Sequence, residues 1–153
     1  MTGQLSIYAS RLAIQSQQGP DFIDLTDFLE KQLRQCNIGE GHVLVFSRHT
    51  TACVVIQENE PLLLEDLRRK LHEIASPEEK FLHDDFGIRT ENLGDTEDVN
   101  GYAHCQGLFL SQSVQVPIHD GKLALGRWQR VFFVELDCPR GREVIAQFVG
   151  VSA

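Results

Sequence analysis

Two strongly apolar runs near the end of the sequence, residues 131–136 and 144–149, most constrain what this chain can fold into. Their length and their β-branched and aromatic content are typical of buried strands. The strands of the second half follow one another through short turns, such as the link containing Pro139, so we expect an antiparallel sheet. Because both runs are apolar at nearly every position, we expect both faces of the sheet to be buried. A neighbouring subunit could bury one of these faces.

The remaining pattern predicts a mixed fold in one domain, residues 1–153. Residues 5–14 alternate as a strand does, and short apolar strands are expected at 43–46, 53–56 and 114–118. Residues 119–121 predict a tight hairpin turn. Thr26 predicts the start of one helix and Pro61 the start of another. The order favours an α+β fold, a mostly antiparallel sandwich or barrel-like sheet partly covered by two main helices.

Composition and charge exclude several classes of protein. The formal net charge is −8, and no basic run is present, which argues against nucleic-acid binding. No apolar run approaches the length of a membrane span. The first residues lack the basic start and apolar core of a secretory signal, so we expect a cytoplasmic protein. The four cysteines form no Cys-x-x-Cys pair, which argues against a structural zinc knuckle.

Three histidines, each in a short polar motif, are the strongest candidates for a functional site. Imidazole suits both proton transfer near neutral pH and transition-metal ligation. The longest irregular segment, residues 83–103, begins at the second histidine and runs into the third, and long loops in compact domains are often functional. We therefore expect the three imidazoles to converge in one site. The motifs are His49-Thr50-Thr51, His83-Asp84 and Asn100-Gly101-Tyr102-Ala103-His104.

Other polar groups have both a functional and a structural interpretation. Asn59 and Glu60 precede a predicted helix, where they can cap it, although the carboxylate of Glu60 could orient a histidine or position a cation. Arg140 and Arg142 could clamp a phosphate or simply form surface ion pairs. The hydroxyls after His49 could hold a phosphate or carboxylate, or suit only a strand.

The spacing of the histidines leaves the chemistry open. It matches no local metal signature such as His-Glu-x-x-His. Three imidazoles with an open fourth position would nevertheless make a catalytic zinc site, which predicts a metal-dependent hydrolase of a small anionic metabolite. A non-catalytic protein that binds a small anion in the same pocket is a further alternative.

In combination, these motifs resemble the YjbQ family, described as secondary thiamine-phosphate synthase enzymes, over residues 5–149. Cys138 and Ser111 stand where that family usually has glycine. The matching pieces are His49-Thr50-Thr51-Ala52, Asn59-Glu60, Asp66, His83-Asp84, Asn100, Ala103-His104, Gly121-x-Leu123-x-Leu125-Gly126-x-Trp128-Gln129, Glu135-x-Asp137 and Pro139-Arg140-x-Arg142.

The resemblance implies a compact α+β homotrimer whose motif histidines gather in a pocket near the subunit boundary. It also implies a transferase activity that joins a pyrimidine pyrophosphate to a thiazole phosphate and releases pyrophosphate. We expect a small phosphorylated metabolite as ligand, with zinc or magnesium as a possible cofactor on His49, His83 and His104. The expected catalytic residues are His49, His83, His104, Asp84 and Glu60, and the expected phosphate- or substrate-binding residues are Thr50, Thr51, Asn59, Asn100, Arg140 and Arg142.

Overall fold

The computed structural model describes residues 3–152, which form an α+β fold of the predicted class. The strands are β1 (Leu5–Gln15), β2 (Asp21–Asp24), β3 (Ile38–Ser47), β4 (Ala52–Glu58), β5 (Ser113–His119), β6 (Lys122–Leu123), β7 (Gln129–Glu135) and β8 (Gly141–Ser152). The helices are α1 (Thr26–Cys36), α2 (Pro61–Ile74) and α3 (Gly101–Gly107), and a 3₁₀ turn spans Leu82–Asp84. No helix among residues 3–152 is long and apolar enough to cross a membrane.

The strands form two antiparallel sheets. A five-stranded sheet has the order β1-β8-β3-β5-β6, and a three-stranded sheet has the order β2-β7-β4. Strands β3 and β4 follow one another in the chain but belong to different sheets, so the four residues between them, 48–51, form a corner from one sheet to the other. The first histidine motif lies at this corner.

The three-stranded sheet is the middle layer of the molecule. Val131 and Phe133 of β7 pack into a cluster with the five-stranded sheet and α1. Phe132 and Val134 point the other way, into a second cluster with α2 and α3. Fully burying one such side chain contributes about 1.5–3 kcal/mol. Helices and strands of the same chain therefore cover both faces of β7, and a neighbouring subunit is not needed to explain its apolar sequence.

Most of the predicted local signals are confirmed. Pro61 is the first residue of α2. Asp120 and Gly121 both have positive φ, as a two-residue hairpin turn requires. Thr26 differs from the prediction, because it is the first helical residue rather than the cap. Its hydroxyl instead accepts the backbone N–H of Val131 at 2.9 Å, which joins α1 to β7.

The long polar segment is more ordered than predicted. Its start lies in the 3₁₀ turn, and its end is the first half of α3, a third helix that periodicity did not indicate. A helix of seven residues with glycine at each end carries too few apolar positions for a periodic signal.

Candidate functional site

His83 and His104 meet in the structure, as the sequence predicted. Their ring centroids are 4.6 Å apart and the rings are tilted by 62°. His83 lies on the 3₁₀ turn and His104 on α3, and these two elements contact one another. The two histidines that bracket the polar segment are therefore neighbours in space.

Asp84 holds the 3₁₀ turn against the start of α3. Its Oδ1 atom accepts the backbone N–H groups of Asn100 at 3.0 Å and Gly101 at 2.9 Å. Its Oδ2 atom is buried and has no hydrogen-bond partner among residues 3–152. A Cβ atom on Gly101 would lie 2.5 Å from the Cβ atom of Phe81 and 3.0 Å from this Oδ2 atom, so only glycine allows the close approach. Asp84 thus positions His83 through the backbone, and among residues 3–152 its carboxylate makes no hydrogen bond to the His83 ring.

Both imidazoles line an open cavity of about 860 Å³, a volume in the range of small-molecule sites. Thr50, from the β3–β4 corner, and Asn100 also line it. The remaining lining, the cavity wall, comes from Leu82 and from the polar segment. The lining residues of that wall are Leu82, Ile88, Arg89, Thr90, Glu91, Asn92 and Glu97.

Arg89 organises this wall, and sequence reasoning missed it. Its guanidinium donates to the carbonyl oxygen of His83 at 3.4 Å, to the carboxylate of Glu97 at 3.0 Å and to the carbonyl oxygen of Asn92 at 2.7 Å. Arg89 is the single Lys or Arg among residues 83–103, which contain six Asp or Glu residues. That isolation is the signal that could have identified it.

His49 lies next to this cavity. It lines an adjoining groove of about 710 Å³ that shares Thr50 and His104 with the first cavity. Phe46, Leu108 and Leu110 give the groove an apolar side. His104 lines both the cavity and the groove, whereas His83 lines the cavity and His49 lines the groove. The three motif histidines therefore lie around one region.

The pKa values of two of these histidines are shifted downward. Burial lowers the pKa of His104, and the neighbouring His83 lowers it further because two imidazolium charges repel. Burial also lowers the pKa of His49, with the guanidinium of Arg142 as the second cause. Both rings are therefore predominantly neutral near neutral pH.

A buried ion pair supports the corner from behind. The guanidinium of Arg142 donates through Nε and Nη2 to both carboxylate oxygens of Glu135 at 2.6 Å, and Nη2 also donates to the hydroxyl of Thr51 at 2.9 Å. The hydroxyl of Ser16 donates to the same carboxylate at 2.9 Å. Glu135 is fully buried and Arg142 is 8% exposed. Arg142 is therefore a charge-neutralised support for Thr51 rather than the free phosphate clamp that the sequence suggested, and Thr51 itself is buried.

Arg140 is likewise neutralised. Its guanidinium donates to the carboxylates of Asp98 and Asp137, each at 2.8 Å, and contacts the thiol of Cys138. Asp137 also accepts the side-chain amide of Asn100 at 2.8 Å. These contacts connect the link before β8 to the start of α3 and leave Arg140 with no unpaired charge for a ligand.

Asn59 and Glu60 lie outside both cavities. The carboxylate of Glu60 caps α2 by accepting the N–H groups of Leu62 at 3.0 Å and Leu63 at 2.7 Å. The side chain of Asn59 donates to Asp24 at 3.1 Å. Asn59 and Glu60 therefore have a structural role, because their side chains form local hydrogen bonds and neither contacts a histidine.

The motif histidines do not form a compact three-nitrogen ligand set. Within residues 3–152, one group of three potential ligand side chains has its ligand atoms within 4.8 Å of one another, and it consists of Glu40, His119 and Asp120, all exposed at the hairpin. The zinc site expected on His49, His83 and His104 stays a prediction, and the ligand atoms of these three side chains do not all lie within 4.8 Å of one another.

Comparison with known proteins agrees with the motifs. The family described as UPF0047 protein YjbQ-like matches residues 10–151. A UPF0047 protein of Archaeoglobus fulgidus is 36% identical over 136 residues, which cover 89% of this chain and 97% of that protein. A YbjQ-like protein of unknown function from Sulfolobus solfataricus superposes with a TM-score of 0.85 at 30% identity, covering 96% of this chain and 99% of that one. A hypothetical protein from Aeropyrum pernix superposes with a TM-score of 0.82 at 30% identity, covering 94% and 98%. The chain therefore belongs to the YjbQ-like UPF0047 family.

Proposed function

We propose that this protein is an enzyme that performs acid–base chemistry on a small phosphorylated metabolite in the cavity shared by His83 and His104. The observation that carries the proposal is the contact of these two rings in one cavity with Thr50 and Asn100. Two adjacent imidazoles resist simultaneous protonation, so one can serve as the acid while the other is the base. The downward pKa shift of His104 supports this division of roles.

The charge pattern limits how such a ligand is held. Arg89, Arg140 and Arg142 each have an acidic partner, so none contributes a free positive charge. The ligand is therefore held by hydrogen bonds from the histidine pair and from the hydroxyl of Thr50. This proposal replaces the expectation that Arg140 and Arg142 bind the phosphates.

The specific reaction we propose is that of a secondary thiamine-phosphate synthase, as the family resemblance implies. The bond between the pyrimidine methylene carbon and the pyrophosphate oxygen breaks, and its electron pair leaves with pyrophosphate. The thiazole nitrogen then donates its lone pair to the methylene carbon. In this proposal the histidine pair gives a proton to the departing pyrophosphate. No step requires a metal ion.

We further propose that the protein works as a homotrimer in which a second copy covers the groove beside His49. Leu108 and Phe109, directly after α3, are 82% and 66% exposed, and large apolar side chains grouped beside a polar site favour an interface. Sedimentation at equilibrium tests this assembly. A trimer supports the proposal, and a monomer at micromolar concentration contradicts it.

Turnover by the purified protein tests the function. The assay measures pyrophosphate release from a pyrimidine pyrophosphate with and without the thiazole phosphate. Replacing His104 by Gln should lower turnover by about 10²–10⁴-fold, the usual contribution of a positioned acid or base. The matched control is His72→Gln, because His72 is exposed on α2. Unchanged turnover in the His104 variant would overturn the catalytic assignment, and saturable binding without turnover would indicate a binding protein.

A further inference from the structure

His49 occupies an unusual place in the β-sheet. Strand β3 pairs with β8 up to Ser47 opposite Val144, and then leaves the sheet. The next residue of β8, Glu143, has a backbone N–H that β3 no longer pairs. The Nε2 atom of His49 accepts this N–H at 3.0 Å. The imidazole thus replaces a backbone carbonyl as hydrogen-bond acceptor where β3 ends. A partly buried backbone N–H needs such an acceptor.

The corner holds the ring in this position. The hydroxyl of Ser47 donates to the carbonyl oxygen of Ala52 at 2.8 Å and accepts the backbone N–H of His49 at 3.4 Å. The corner is therefore closed by its own hydrogen bonds, and the ring is directed at β8 by the local backbone. Its other nitrogen, Nδ1, has no hydrogen-bond partner among residues 3–152, and the residue lines the groove.

An accepted hydrogen bond decides the tautomer. A nitrogen that accepts an N–H must carry a lone pair, so Nε2 is unprotonated and the neutral ring bears its proton on Nδ1. We infer that His49 is a fixed Nδ1–H donor that binds an anionic oxygen of the ligand, and that it acts neither as a base nor as a metal ligand through Nε2.

This role deepens the proposed function and rests on it, since the anionic oxygen belongs to the ligand of the histidine cavity. It separates the three motif histidines by task. His83 and His104 exchange protons, whereas His49 offers a neutral hydrogen bond that needs no reorganisation during the reaction. The tautomer itself does not depend on which reaction is catalysed.

Nitrogen NMR of the protein tests the tautomer. Long-range ¹⁵N–¹H spectra near neutral pH distinguish protonated from unprotonated ring nitrogens, and the His49→Gln variant assigns the signals. The expected result is a protonated Nδ1 and an unprotonated Nε2. A proton on Nε2, with or without one on Nδ1, would overturn the inference.

Inorganic pyrophosphate serves as the probe for the donor role. Glutamine at position 49 can still accept the N–H of Glu143 through its amide oxygen but has no donor where Nδ1 lies. His49→Gln should therefore keep the thermal stability of the parent, while pyrophosphate binding or turnover falls by about 10²-fold. His49→Ala should lose both stability and binding.

Binding and NMR data distinguish a failure of the donor role of His49 from a failure of the proposed function. If pyrophosphate shifts the ring signals of His83 and His104 while His49→Gln binds it as tightly as the parent, the donor role is wrong and the proposed function stands. If pyrophosphate shifts none of the three rings and no turnover occurs, both the proposed function and the donor role are wrong.

Discussion

The imidazole rings of His83 and His104 lie 4.6 Å apart between their centroids because one carboxylate, that of Asp84, ties the turn carrying the first ring to the helix carrying the second. Asp84 follows His83 directly in the chain, and the N–H groups it binds begin the helix that carries His104. The distance between the rings therefore depends on backbone contacts made by a residue that is not part of the cavity lining.

The packing at Gly101 gives the first prediction. Gly101→Ala should displace Asp84 and Phe81, because the new Cβ atom has no room beside them. Overpacking of this kind costs about 1–3 kcal/mol. Urea denaturation should show that loss, and turnover should fall with it because His83 moves. Gly141→Ala is the matched control, since nothing lies within 4 Å of a Cβ atom there. Equal stability of the two variants would contradict the packing argument.

The buried ion pair gives the second prediction. Glu135→Gln leaves the guanidinium of Arg142 buried without a charged partner, which should lower the free energy of unfolding by about 3–5 kcal/mol. Asp66→Asn breaks an exposed pair with Arg69 and should cost less than about 1 kcal/mol. Chemical denaturation measures both. A small effect at Glu135 would mean that the pair does not support the corner.

The histidine pKa values give the third prediction. The pKa values of His49 and His104 lie below 6.5 in the folded state, so the unfolded chain binds more protons just below that pH. Stability should therefore be full above pH 6.5 and fall as the pH drops below it. Denaturation midpoints measured across this range test the sign. The loss of stability at low pH should be smaller in the double variant His49→Gln, His104→Gln. If stability depends on pH equally in the parent and the double variant, other groups cause the effect.

Arg89 gives the fourth prediction. Arg89→Gln removes the contacts with Glu97 and with the carbonyl oxygens of His83 and Asn92, so the cavity wall should loosen. We expect KM to rise more than kcat falls, because the wall positions the ligand and does not transfer protons. Arg34→Gln on α1 is the control, since its ion pair is exposed and remote from the cavity. A loss confined to kcat would argue against this role.

Much of the fold was predictable because its strands carry recurring apolar residues and are separated by clear turn residues. The hairpin at Asp120 and Gly121 and the helix start at Pro61 follow from local backbone preferences alone. The seven-residue helix α3 was not predictable, since tertiary contacts through Asp84 stabilise it rather than an amphipathic pattern.

The site was predictable in its residue types but not in its pairings. The histidines could be selected because each lies in a polar motif, but sequence gives no distance between them. Arg140 and Arg142 were expected to bind phosphate because nothing local indicated their partners. One signal was available for Arg142, because Glu135 interrupts an apolar run and a buried carboxylate requires a cation nearby.

A crystal structure of the protein with pyrophosphate bound tests the central claim most directly. The account predicts the anion in the cavity between the polar segment and the β3–β4 corner, within hydrogen-bond distance of a ring nitrogen of His83 or His104 and of the hydroxyl of Thr50. Pyrophosphate bound only elsewhere, with both rings unengaged, would contradict it.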